Sequence, residues 1–155
     1  MAYHYSRKLN APFDKVVSKI SEKLLHQGFA VITCIDVQDT LKKTLNIDFR
    51  RYKILGAFHP EVAYKAISLE SHVGLLFPCH LVVQQHENGE VEVSAISPLE
   101  TIDQAKETTM LAELATQVDN HLRAAVDELK VPHDDDTHVE ALPPELHEDT
   151  PSIKG

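Results

Sequence analysis

Cys79 is the residue of this chain whose type and setting best suit covalent chemistry. It follows Pro78, precedes His80 and heads the apolar run Leu81-Val82-Val83. A cysteine attacks or ligates as its thiolate, and neighbouring cations or a helix N-terminus favour that form. His80 adjoins it in sequence, but successive strand residues point to opposite faces. His59, beside the helix-opening Pro60, is the histidine that folding would bring nearer. Thiol or sulfur-transfer chemistry at Cys79 is the reactive reading of this set. The plainer reading, and the one we favour, makes Cys79 a small apolar residue buried under helices. Cys34 stands mid-strand with Ala30 and Ile32 and reads as structural.

Cysteine and histidine also suit zinc or copper, and His59, His80 and His86 are the histidines in range. None of them falls into CxxC, HxxxH or HExxH spacing, and His80 and His86 stand too far apart on one strand. No metal site is expected in the folded part. His133, His138 and His147 lie among acidic residues near the C-terminus, where a solvated acidic segment is the simpler reading. No glycine-rich phosphate loop and no GxSxG element occurs, so neither nucleotide binding nor serine hydrolysis has a motif to stand on. The sequence leaves the cofactor, if there is one, unknown.

The elements that must position these residues follow from periodicity. Residues 3–9 alternate weakly, as an edge strand does. Asn10 is placed to cap a helix, with Pro12 near its first turn. Phe13, Val16, Val17, Ile20 and Leu24 then recur at helical spacing, and Gly28 follows as a glycine just past a helix end should. Residues 29–37 and 51–58 read as strands around a short helix at 39–45. Pro60 opens a second helix, with Val62, Ala63, Ala66, Ile67 and Leu69 expected to face inward.

Residues 79–86 and 91–96 make a hairpin whose loop length is decided by side-chain parity. A two-residue turn at Asn88-Gly89 would mix polar and apolar side chains on one face. A three-residue loop, Glu87-Asn88-Gly89, pairs Val83 with Val93 and Leu81 with Ala95, provided Gly89 is left-handed. Cys79 then falls on the apolar face. Thr101 and Gln104 match a capping box for a last helix over 102–129. Leu111, Ala115, Val118, Leu122, Ala125 and Leu129 form its apolar stripe. That helix would be roughly 40 Å long, and the Thr108-Thr109 pair is its weakest point.

The chain of 155 residues is long enough for one domain with a real core. We expect that domain over residues 1–129. Residues 130–155 carry two lysines against seven acidic residues, a net of −5 out of the total of −9, together with four of the eight prolines. They read as a disordered acidic tail. With no basic patch to meet phosphates, nucleic acid is excluded as a partner. The longest apolar runs are far too short to span a membrane. Two cysteines and a polar N-terminus without a signal core make a cytoplasmic location the expectation.

The stretch Tyr52-Lys-Ile-Leu-Gly-Ala-Phe-His-Pro60, with Ala63 and Ala66, and then Gly74-Leu-Leu-Phe-Pro-Cys79-His-Leu-Val-Val83, resembles the bacterial and archaeal family called domain of unknown function 302. The resemblance covers about residues 2–129. It implies an α+β fold with an antiparallel-rich sheet and helices packed on one face, broadly like half of the TATA-binding protein, and it implies a homodimer. It implies no reaction. The family pattern has Cys-Asn where this chain has Phe58-His59, and Asn where it has His80. The expected function is a small-molecule-binding or regulatory module with His59, Cys79 and His80 at its site. The alternatives are an enzyme or carrier using the Cys79 thiol, and a purely structural dimerisation module.

Overall fold

A computed structural model describes residues 3–101 and 109–130. The first strand, β1 (His4–Leu9), leads into α1 (Phe13–His26), whose buried residues Phe13, Val16, Ile20 and Leu24 are those picked out by helical spacing. The helix starts later than Asn10 suggested. Pro12 takes the cap position without a side-chain hydrogen bond, because its fixed φ of −59° already turns the chain, and its carbonyl accepts from Val16. The other end closes as expected. Gly28 adopts φ +88°, its N–H donates to Leu25 and that of Phe29 donates to Leu24, which satisfies the last carbonyls and folds Phe29 back onto buried Leu24.

Five strands form one antiparallel sheet in the order β1-β5-β4-β3-β2. Here β2 is Ala30–Asp36, followed by the short helix α2 (Val37–Leu45), β3 is Tyr52–Phe58, β4 Cys79–Gln85 and β5 Val91–Ile96. The hairpin register is the one parity demanded: Val83 faces Val93, Leu81 faces Ala95, and Gly89 has φ +88°. Leu81, Val83, Val91, Val93 and Ala95 are accordingly buried on one face, under α1 and α5 (Thr109–Asp127). The α+β class and the packing of helices on one face therefore hold.

Other expectations need correction. Ile67 and Leu69 do not face inward; they are 43% and 41% exposed, because α3 (Pro60–Leu69) buries only the narrow stripe Val62-Ala63-Ala66. Thr101 lies within a helix, α4 (Pro98–Thr101), and not at its cap, since Pro98 supplies an earlier start. Gln104 lies outside the described residues, as does the tail from residue 131. The final helix is described from Thr109 to Asp127, and the first part of the expected 102–129 span, Thr108 included, lies outside the described residues. Its stripe from Leu111 to Leu129 is buried throughout.

Polar ties fix α5 to the sheet. Asp119, nearly inaccessible, accepts from the Ser97 hydroxyl at 2.6 Å and from Arg123 Nε at 2.8 Å. The Arg123 guanidinium lies 4.8 Å from the Tyr5 ring centre, the Tyr5 hydroxyl donates to Asp127, and Arg7 donates to the Asp127 carbonyl at 2.7 Å. Between β2 and β3 the register slips at Val31–Thr33, which sets Thr33 opposite Gly56.

Candidate functional site

The chain between α3 and β4 winds into a 3₁₀ segment, Ser71–Leu76, and then passes through Phe77 and a cis Pro78 into Cys79. This segment carries no buried residue of its own. It stands away from α5 and leaves a pocket of ≈ 250 Å³. Val62 and Ala66 of α3 form one wall, Leu75, Leu76 and Phe77 another, and Leu111, Leu114, Ala115 and Val118 of α5 the third. Cys79 and His80 close the end nearest the sheet, with Ile96 beside them.

Cys79 is only 5% exposed, and burial pushes its thiol up to about 11, so the group stays protonated at neutral pH. Among the described residues no cation offsets that desolvation. The result is a weak nucleophile with an apolar surface, which is how a packing cysteine behaves. Cys34 is half-buried on the edge strand, opposite Leu55, and burial raises its thiol as well. Replacing Cys79 distinguishes packing from chemistry. Cys79→Ser places a hydroxyl against apolar neighbours and should cost about 1–3 kcal/mol where no partner is found. Cys79→Ala leaves a small void and should cost less. Thermal melts of both variants beside wild type measure the order. Equal, near-wild-type melting of the two would reject the packing role.

His80 is exposed and shares the pocket wall, whereas His59 does not line it. His59 occupies the cap position of α3, where its Nδ1 accepts from the Val62 N–H at 3.3 Å. The imidazole thus performs the capping task for which asparagine is among the best residues. That task orients the first turn of α3 and hence Val62 in the pocket wall. The ring packs edge-on to Phe29 at 5.2 Å and stacks on His121 at 6.1 Å with an interplanar angle of 28°. It also lies where a side chain at Gly28 would go: a Cβ there would come within 2.7 Å of Nε2. His121 is held in turn by its Nδ1 donating to Gln27 at 2.8 Å. Sequence spacing did not point to His121, since its partners Gln27 and His59 come from two distant parts of the chain. His86 is remote from the pocket and contacts Glu92 at 3.3 Å. Among the described residues no three histidine, cysteine or acidic side chains gather as a metal site would require, and no helix is long and apolar enough to cross a membrane.

Burial, and then the neighbouring His121, hold the His59 imidazole below its ordinary pKa, while Glu61 opposes and Lys65 reinforces the shift. A histidine with a lowered folded pKa contributes stability that is complete above the unfolded value, near 6.5, and is lost as pH falls through the interval down to the folded one. Acid should therefore lower the melting temperature between pH 7.5 and 5.5, and His59→Asn, which retains a cap without the titration, should shrink that loss. An identical acid loss in His59→Asn would show that the pair plays no part.

Residues 5–129 match the family described as domain of unknown function DUF302. No curated protein matches the chain. Among solved structures, the crystal structure of an uncharacterized conserved protein DUF302 from Bacillus stearothermophilus is similar, with 25% sequence identity and a TM-score of 0.77 over 84% of this chain and 100% of that one.

Proposed function

The chain belongs to the DUF302 family, and we propose that it acts there as a small-molecule-binding module whose apolar ligand sits in the pocket beside Cys79. One observation carries the reading. A folded chain that was only structural would fill the space between α3, the 3₁₀ segment and α5, because protein interiors close-pack. Among the described residues that space is left open at ≈ 250 Å³, is walled by aliphatic and aromatic side chains, and has His80 at its end. Small-molecule sites have this makeup: mostly apolar walls with a few placed polar atoms. The volume suits a small ligand. Because the pocket is shared by α3, the 3₁₀ segment and α5, occupancy would also brace these elements against one another, which is how a regulatory role would operate. The homodimer implied by the family resemblance belongs to the same proposal, and light scattering is the measurement for it. The thiol-chemistry alternative is the weaker one, because burial keeps Cys79 protonated.

Calorimetric titration with a series of straight-chain alcohols tests the pocket. Affinity should rise about fourfold per methylene until the pocket is full, as expected for burial of each CH₂. Ala115→Phe and Ala66→Leu, which fill the pocket from two different walls, should each abolish binding while the far-ultraviolet circular dichroism stays native. Octanol binding that is absent from wild type, or that survives both fillings, would refute the reading.

A further inference from the structure

The pocket has a neighbour. On the opposite face of the sheet, a groove of ≈ 250 Å³ runs across β4 and β5, lined by Tyr52, Gln84, Glu92 and Ser94 together with Tyr3 and His4. The two cavities share His80 and Ile96 as lining residues. These two stand one step beyond the Leu81–Ala95 pair, at the end of the hairpin ladder, with His80 paired to Gly56 of β3 and Ile96 to His4 of β1. The pocket beside Cys79 is the more apolar of the two, whereas the groove mixes polar side chains with Val82, Ala95 and two tyrosine rings, and the same residue pair lies between them.

From this juxtaposition we infer that the ligand is an amphiphile: its apolar chain occupies the pocket beside Cys79, it passes over His80, and its uncharged, hydroxyl-bearing head lies in the groove. The inference deepens the ligand-binding reading above and rests on it. The groove determines the character of the head. It presents the Tyr52 hydroxyl, the Gln84 amide, the Ser94 hydroxyl and the Glu92 carboxylate, which together donate and accept. Glu92 already accepts from Gln84 at 3.3 Å and contacts His86 at 3.3 Å, and Ser94 is bonded to Ser6 at 2.7 Å. The groove thus offers hydrogen-bonding side chains that sugar-like or glycerol-like hydroxyls can engage. Among the described residues its walls include no lysine or arginine, and Arg50 at its margin donates to Gln84 at 3.1 Å and stacks on Phe49 at 4.5 Å. An anionic head would meet Glu92, while the cation at the margin, Arg50, is already engaged with Gln84 and with the Phe49 and Tyr52 rings.

The test uses three octyl compounds below their micelle concentrations: 1-octanol, octanoate and octyl β-glucoside. Octyl glucoside should bind about tenfold more tightly than octanol, the gain expected of one or two net hydrogen bonds, and octanoate more weakly than octanol. The double variant Tyr52→Phe/Gln84→Ala, which alters only the groove, should bring the glucoside to within about twofold of octanol and leave octanol unchanged. Equal binding of glucoside and octanol by wild type, tightest binding by octanoate, or a head-group gain that survives the double variant would each overturn the amphiphile inference and leave the pocket reading standing. Failure of octanol itself to bind would remove both.

Discussion

Arg123→Met should destabilise the protein by about 3 kcal/mol, the low end of the range for removing one partner of a buried ion pair. The effect is expected to exceed that of deleting the other partner. Asp119 has a side-chain exposure of 6%, whereas Arg123 has 45%. Without Arg123, the carboxylate remains buried with the Ser97 hydroxyl at 2.6 Å but, among the described residues, with no cation, and the Tyr5 ring loses the guanidinium stacked on it. Without Asp119, the guanidinium can turn towards water, and Asp119→Ala should cost about 1.5–3 kcal/mol, the worth of hydrogen bonds to a charged group. Met is the chosen replacement because it retains the unbranched aliphatic stem. A domain of this size should lose roughly 10 °C of melting temperature in the Arg123 variant. If Asp119→Ala melts lower than Arg123→Met, desolvation of the carboxylate does not set the cost.

Gly56→Val is expected to be similarly damaging, for a steric reason. Gly56 is buried in β3 between the slipped strand β2 and the start of β4. A Cβ at this position would run into the Thr33 hydroxyl and would lie 2.8 Å from Pro78 Cγ. The threonine can rotate; the proline ring cannot move without its backbone, and that backbone leads into Cys79. Gly56→Ala should cost about 1–3 kcal/mol as an overpacked site, and Gly56→Val more. Thr33→Ala should restore part of the loss in a Gly56→Ala background, an interaction between contacting residues that a double-mutant cycle detects. Additive losses would show that Pro78 alone sets the barrier.

The parts of the fold that were legible in the sequence are those specified by local rules. The Val83–Val93 register followed from the requirement that one face be apolar, Gly28 from the left-handed residue that closes a helix, and the buried stripe of α5 from its spacing. Local rules misjudged positions where two of them competed. Asn10 is a better cap than Pro12 by propensity, yet the proline fixes the backbone at the helix entrance. Ile67 and Leu69 are apolar, yet they extend a stripe wider than the surface available to bury it. Of the candidate site, Cys79 and the face it occupies could be read from parity. The contact of His59 with His121, the pocket beneath the 3₁₀ segment and its division from the groove at His80 and Ile96 could not, because each depends on residues brought together from distant parts of the chain.

The strand order also dictates a sequence of events in time. The first strand synthesised, β1, has a single neighbour, β5, and that neighbour is the last strand of the sheet to be made. A chain emerging from the ribosome can pair β2 with β3 and then β3 with β4, but β1 waits unpaired until Val91–Ile96 has appeared. Until then β4 presents an open edge, the form of strand most prone to pair with another molecule. Closure of the sheet is therefore a late, non-local step, and chains interrupted before β5 are the ones that should associate wrongly.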